Sequence, residues 1–219
     1  MKTTKRFFIG YATRQGQTAA IASHVALRLR ARGHFVLLQD IASAPSWLDP
    51  LHGCDAVFLA ASIHKRRHEP EMVEFVRQNL EIIAAWPSAF ISVSLTQMMA
   101  ERQSATADER AIAHRDVQAM TDQFIHDTGR HPGIVRAAAA AVAHSRYSIA
   151  EHWAVTRLLG ERERISDPSR DHVYTSWPSM DALADDLEAR TSCCAAARRV
   201  RAFCPTCFRA RIPGAIAPF

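Results

Sequence analysis

The chain has 219 residues, 48% of them apolar and 22% charged, enough for one well-buried core and short for two. No apolar run reaches the roughly 18–20 residues that a bilayer-spanning helix needs. The net charge of +5 sits at one end: six arginines from Arg190 onward meet no acid, and setting them aside leaves 21 basic residues against 22 acidic ones, which speaks against a nucleic-acid-binding face on the body.

In chain order, MKTTKRFFIGYA opens basic and then apolar, as an export signal does. Its apolar part is too short for one and runs straight into a polar loop, so Lys5–Ala12 reads as a buried strand. Thr18–Arg32 carries Ile21, Val25 and Leu29 at four-residue spacing, the stripe of a core-facing helix, and Gly33 stops it. His34–Gln39 is a second strand. Asp55–Ser62 is a third, apolar throughout as a strand covered on both faces should be. Glu69–Ala84 reads as one helix, with Pro70 at its start and Met72, Val76, Leu80 and Ile83 as its stripe. Ser88–Leu95 is a fourth strand and Thr106–Thr128 a helix. Ile134–Ala141 fits a fifth strand, although its alanines suit a helix equally. Trp177–Ala189 is the last helix. Strands alternating with helices predict a parallel sheet wrapped by helices.

Two segments stand apart. His144–Arg170 is a charged and aromatic insertion, in which Tyr147, Ile149 and Trp153 mix with arginines as in an interfacial helix; a helix packed on the sheet edge fits as well. From Thr191 the tail has no convincing period and is expected to be a disordered basic arm. Only Cys54 of the five cysteines lies in the body, so no disulfide framework is expected and a reducing cytoplasm fits. The tail spacing C-C-x9-C-x2-C is a poor chelate beside paired C-x-x-C, so no metal is expected.

The chemistry is expected at TRQGQT, between the first strand and the first helix. Ligands of such sheets sit beyond the carboxyl ends of strands where strand order reverses. Helix N–H groups there lack partners and favour a phosphate; Thr13 and Thr18 add hydroxyls, and Gly16 allows close approach. The loop lacks a P-loop lysine and is not G-x-G-x-x-G, so neither a nucleoside triphosphate nor a dinucleotide is indicated. An ordinary helix cap is the alternative on spacing alone.

The T-x-x-G-x-T loop resembles the FMN-phosphate loop of flavodoxins. More narrowly, YATRQGQTAAIA, AASIHKRRHEPEMVEFVRQN, WPSAFISVSL and SRDHVYTSW resemble, in order, four stretches of the menaquinone-dependent protoporphyrinogen oxidase family. The matches span Met1 to about Ala189. The resemblance implies an α/β, flavodoxin-like three-layer sandwich with a five-stranded parallel sheet of order 2-1-3-4-5. Residues 1–190 would form the FMN-binding domain, interrupted at about 144–170, and 191–219 the tail.

By position, Thr13, Arg14, Gln15, Gly16, Gln17 and Thr18 would hold the phosphate of non-covalent FMN. Ser62, Ile63 and His64, with Ser94, Leu95 and Thr96, would flank its ring. Gln15 replaces a family acid. His64, Lys65, Arg66, Arg67 and His68 stand where the best-known members have glycine and tyrosine, so the usual stacking aromatic is missing. The implied reaction oxidises protoporphyrinogen IX to protoporphyrin IX and passes electrons to menaquinone or ubiquinone. Lys65, Arg66 and Arg67 would meet the substrate propionates, with Tyr147 and Trp153 as further substrate contacts; a solvated charge run is the alternative for the cations. His64 and His68 are the candidate proton carriers. The family places such a chain in the cytoplasm, bound weakly to the inner face of the cell membrane; homo-oligomerisation stays open. A flavodoxin-type electron carrier, or an NAD(P)H:quinone reductase of the same fold, is the rival reading.

Overall fold

A computed structural model describes residues 3–43, 51, 53–102, 104–142, 172–173 and 175–199. The insertion, with Tyr147 and Trp153, and the tail beyond Arg199, with Cys204 and Cys207, lie outside them. Five long strands form a parallel sheet: β1 (Arg6–Ala12), β2 (Phe35–Asp40), β3 (Ala56–His64), β5 (Ser88–Ser94) and β6 (Ile134–Ala139). Their spatial order is β2-β1-β3-β5-β6, which is 2-1-3-4-5 when only the long strands are counted. The fifth strand is thus a strand, its alanines paired with β5 from Ala89↔Ile134 to Ser94↔Ala139.

Alternation along the central strands builds two cores, one on each face. Phe7 and Ile9 of β1, with Phe58 of β3 and Ile91 of β5, pack under α1 (Gln17–Ala31) and α6 (Trp177–Arg199). Phe8 of β1, with Val57 and Leu59 of β3 and Phe90 of β5, packs under α2 (Pro70–Gln78), α3 (Leu80–Ala85) and α5 (Ala107–Thr128). All four of these strand residues on the first face are fully buried, as are those on the second except Leu59, which is 4% exposed. Helices α1 and α6 are further joined by ion pairs of Arg28 with Asp181 and Asp185.

Four elements differ from the sequence reading. The helix expected over Glu69–Ala84 breaks at Asn79, which ends α2 and precedes α3 with φ −114° and ψ 20°. Its side-chain amide donates to the Phe75 carbonyl (2.8 Å), capping the first piece, and its own carbonyl accepts from Ile83 N–H (2.9 Å). An apolar stripe continues across such a break, so periodicity alone does not show it.

The fourth long strand ends at Ser94, and a helix with no counterpart in the sequence reading, α4 (Leu95–Glu101), follows it; at seven residues it is too short for a period to register. His64–His68 is a hairpin: β4 (Arg67–His68) turns back antiparallel on the end of β3. Last, α6 continues past Ala189 to Arg199, so 191–199 are helical rather than the start of a disordered arm. Alanine-rich RTSCCAAARR is a good helix former, and Thr191 remains buried one turn beyond Leu187. A short antiparallel pair, β7 (Ala141–Val142) and β8 (His172–Val173), brackets the insertion. Among the described residues no helix is long and apolar enough to cross a membrane.

Candidate functional site

The chain leaves β1 for β2 on one side of the sheet and returns to β3 on the other, so strand order reverses between β1 and β3. At that point the carboxyl ends meet. Ala12 pairs with Ala61, Ser62 with Val93 and Ser94 with Ala139. The loops after β1, β3 and β5 therefore stand side by side, and the three groups of residues expected to share a ligand do share one edge.

The first loop is held by its own side chains. Gly16 N–H donates to Thr13 Oγ1 (3.1 Å), and Gly16 takes a left-handed conformation, φ 92°, that a β-carbon would strain. Among the described residues no side chain caps α1, and no acid stands in its first turn, so its positive end is left to attract an anion. Thr18, in that first turn, is 1% exposed, yet its hydroxyl has no partner among the described residues. Buried hydroxyls are normally satisfied, and this one is left with a donor unused. Gln17 turns away: its amide donates to Thr175 Oγ1 (2.7 Å), which donates onward to the Ala139 carbonyl (2.7 Å). Gln15 is half-buried.

Arg14 is exposed but anchored. Its Nε donates to Glu69 Oε2 (2.8 Å), and Glu69 Oε1 accepts from Ser62 Oγ (2.8 Å). Glu69 is 3% exposed and ties the first loop to the end of β3.

In the second loop, Lys65 and Arg66 take φ of 48° and 64°, the pair of left-handed residues that a two-residue hairpin turn demands and that Asn-Gly usually supplies. The turn holds Lys65, Arg66 and Arg67 out into solvent; Arg66 reaches Asp116 of α5 at 3.5 Å. Ile63 and His64 are half-buried. His68, its position set by pairing with Ile63, is buried. Its Nε2 lies 3.0 Å from Ser92 Oγ, and its ring packs on Phe90 and Phe124 at 5.2 and 4.9 Å. Burial holds the ring well below imidazole's ordinary range, at about 4, so it is neutral at physiological pH.

In the third loop, Ser94 Oγ accepts from Gln97 N–H (3.0 Å) and starts α4. Leu95 and Thr96 are half-buried in its first turn. Gln97 donates its amide to Glu101 (2.8 Å), leaving a buried Oε1 without a partner among the described residues.

The Flavodoxin domain family matches residues 8–169 of the chain. The chain belongs to that family. Its flavodoxin domain is also similar to two curated proteins called protoporphyrinogen IX dehydrogenase [quinone]. The one from Leishmania major is 26% identical over 82% of this chain and 73% of its own length. The one from Escherichia coli (strain K12) is 24% identical over 81% of this chain and 91% of its own. Among solved structures, a flavodoxin of Pseudomonas aeruginosa aligns over 84% of this chain and 99% of its own at 13% identity, with a TM-score of 0.46.

Three residues of this flavodoxin domain's site are invisible to sequence reasoning. Glu69 looks like the first residue of an exposed helix, and only the acid standing just before Pro70 hints at a cap. Thr175 lies 158 positions from the glutamine it meets. Ser92 sits in an apolar strand, where its partner is 24 positions away.

Proposed function

We propose that this chain is an FMN-dependent oxidoreductase that oxidises protoporphyrinogen IX to protoporphyrin IX and delivers the electrons to a membrane quinone, menaquinone or ubiquinone. The names of the two relatives support the reaction. The observation that carries the cofactor is the unpartnered buried hydroxyl of Thr18 at the uncapped start of α1.

The residues present fit FMN. Thr18 Oγ and the first N–H groups of α1 would donate to its phosphate, with Gly16 allowing close approach and Thr13 shaping the turn. Bound there, FMN would supply two-electron redox chemistry that amino-acid side chains lack. The chain's own task is to bind, orient and manage charge. Ser62, Ile63 and His64 on one side and Ser94, Leu95 and Thr96 on the other would flank the FMN ring. Lys65, Arg66 and Arg67, held outward by the hairpin, would meet the propionates of the substrate. His64, half-exposed at the end of β3, is the better placed of the two histidines to exchange protons with solvent; His68 keeps its neutral ring in the core. Tyr147 and Trp153 of the insertion remain proposed substrate contacts. The working location is the cytoplasmic face of the cell membrane, where a lipid-soluble quinone is reached.

The test is direct. The purified chain should retain flavin absorbance, and with protoporphyrinogen IX and menadione it should generate protoporphyrin fluorescence. A flavin-loaded sample that gives no quinone-dependent product would remove the reaction.

A further inference from the structure

Glu69 is a buried carboxylate to which the reaction above gives no part. Both oxygens are engaged, Oε2 by Arg14 Nε and Oε1 by the Ser62 hydroxyl, each at 2.8 Å. The backbone around it is fixed too. Its N–H donates to the Ser62 carbonyl (3.2 Å), and its carbonyl accepts from Met72 and Val73 at the start of α2. A buried charge is tolerated when it is paired and hydrogen-bonded, and Glu69 is both.

The partner is unevenly used. Arg14 is 52% exposed, and no described residue takes its two terminal nitrogens. A guanidinium gripped at Nε presents the rest of its planar fork in one direction. Arg14 belongs to the same loop as Thr13 and Gly16, ahead of the uncapped helix and the unpartnered Thr18 hydroxyl.

We propose that Glu69 is a positioning residue that divides the Arg14 guanidinium between two anions: Nε is held on the buried carboxylate, and the terminal nitrogens are kept for the phosphate of the cofactor. The strut spans the reversal point of the sheet, from the loop after β1 to the end of β3. It also sets the local charge. Arg14 and Glu69 together are neutral, so the phosphate is met by directed hydrogen bonds rather than by a surplus cation. A lysine at position 14 would serve both anions from one nitrogen, without the separated, fixed donors by which a guanidinium keeps Nε on one anion and its terminal nitrogens on another.

This inference rests on the FMN reading and is tested apart from it. The full-length apoprotein is titrated with FMN and with riboflavin, which lacks the phosphate, following quenching of flavin fluorescence. The wild type should prefer FMN by more than about tenfold, a margin expected of charge-assisted hydrogen bonds. Arg14→Lys keeps a partner for the buried carboxylate and so keeps the fold; its FMN preference should fall about tenfold with riboflavin affinity unchanged. Glu69→Ala should do the same, whereas Glu69→Gln, whose amide can accept from Nε and donate to Ser62, should retain most of the preference. In Arg14→Lys with Glu69→Ala, the released ammonium should recover part of it. An unchanged preference in Arg14→Lys would overturn the strut, as would a Glu69→Ala protein that loses riboflavin affinity as much as FMN affinity. A wild type indifferent to the phosphate would instead remove the underlying placement of FMN.

Discussion

Thr18 and His68 show how much one buried polar atom can decide. The Thr18 hydroxyl is desolvated without a partner, so the nearly isosteric Thr18→Val should leave the apoprotein as stable or up to about 1 kcal/mol more stable in urea denaturation. The same variant should bind FMN at least about tenfold more weakly, by the same desolvation argument in reverse. A stability loss without a change in affinity would show the hydroxyl to be structural. His68 acts through its proton. Burial lowers its folded-state value to about 4 against about 6.5 in the unfolded chain. The unfolded state therefore binds the proton first, and stability from this group is complete above about pH 6.5 and drains away as pH falls towards 4. Between pH 7.5 and 5 the loss should be about 2 kcal/mol, read as a falling urea midpoint. In His68→Phe that component of the slope should vanish.

The hairpin between β3 and β4 carries a local conflict. Lys65 and Arg66 both hold left-handed φ although neither is glycine or asparagine, and each such residue costs of order 1 kcal/mol. Replacing the pair, Lys65→Asn with Arg66→Gly, should raise stability by about 1–2 kcal/mol in denaturant titration. If the cations serve the propionates, KM for protoporphyrinogen IX should rise in the same variant while FMN affinity holds. Helix α5 shows the opposite, full agreement between sequence and structure. Thr106 Oγ1 accepts from Glu109 N–H and the Glu109 carboxylate accepts from Thr106 N–H, the reciprocal cap that T-x-x-E encodes. Thr106→Ala should cost about 1 kcal/mol by thermal denaturation.

At the scale of the molecule, a ligand at the meeting point of three loops would tie β1, β3 and β5 together. Anything that binds only the folded chain stabilises it by mass action, about 2.7 kcal/mol at a hundredfold excess over Kd. FMN should therefore raise the Tm in a concentration-dependent way, and riboflavin should do so less at equal concentration. Equal shifts for the two would place the affinity in the ring site rather than at the Thr13–Thr18 loop.

The first four long strands and the parallel character of the sheet were determined by the sequence alone, because they rest on signals that neighbours along the chain carry; the order 2-1-3-4-5 came with the family resemblance, and pairing with β5 decided the fifth strand. Continuous apolar runs such as Ala56–Ala61 mark strands covered on both faces, and Ile21, Val25 and Leu29 mark a helix stripe. Tertiary structure decided what depends on partners far along the chain or on single dihedral angles. The break at Asn79 hides under an unbroken stripe, and the hairpin at Lys65–Arg66 defies its residues' own preferences. The Ala-rich end of α6 was legible only as composition. His68 looked like a loop histidine until Ser92 and Phe124 enclosed it, and Glu69 like the first residue of a helix until Arg14 and Ser62 closed on it. Burial and charge pairing are properties of a three-dimensional neighbourhood, and a linear pattern holds no record of them.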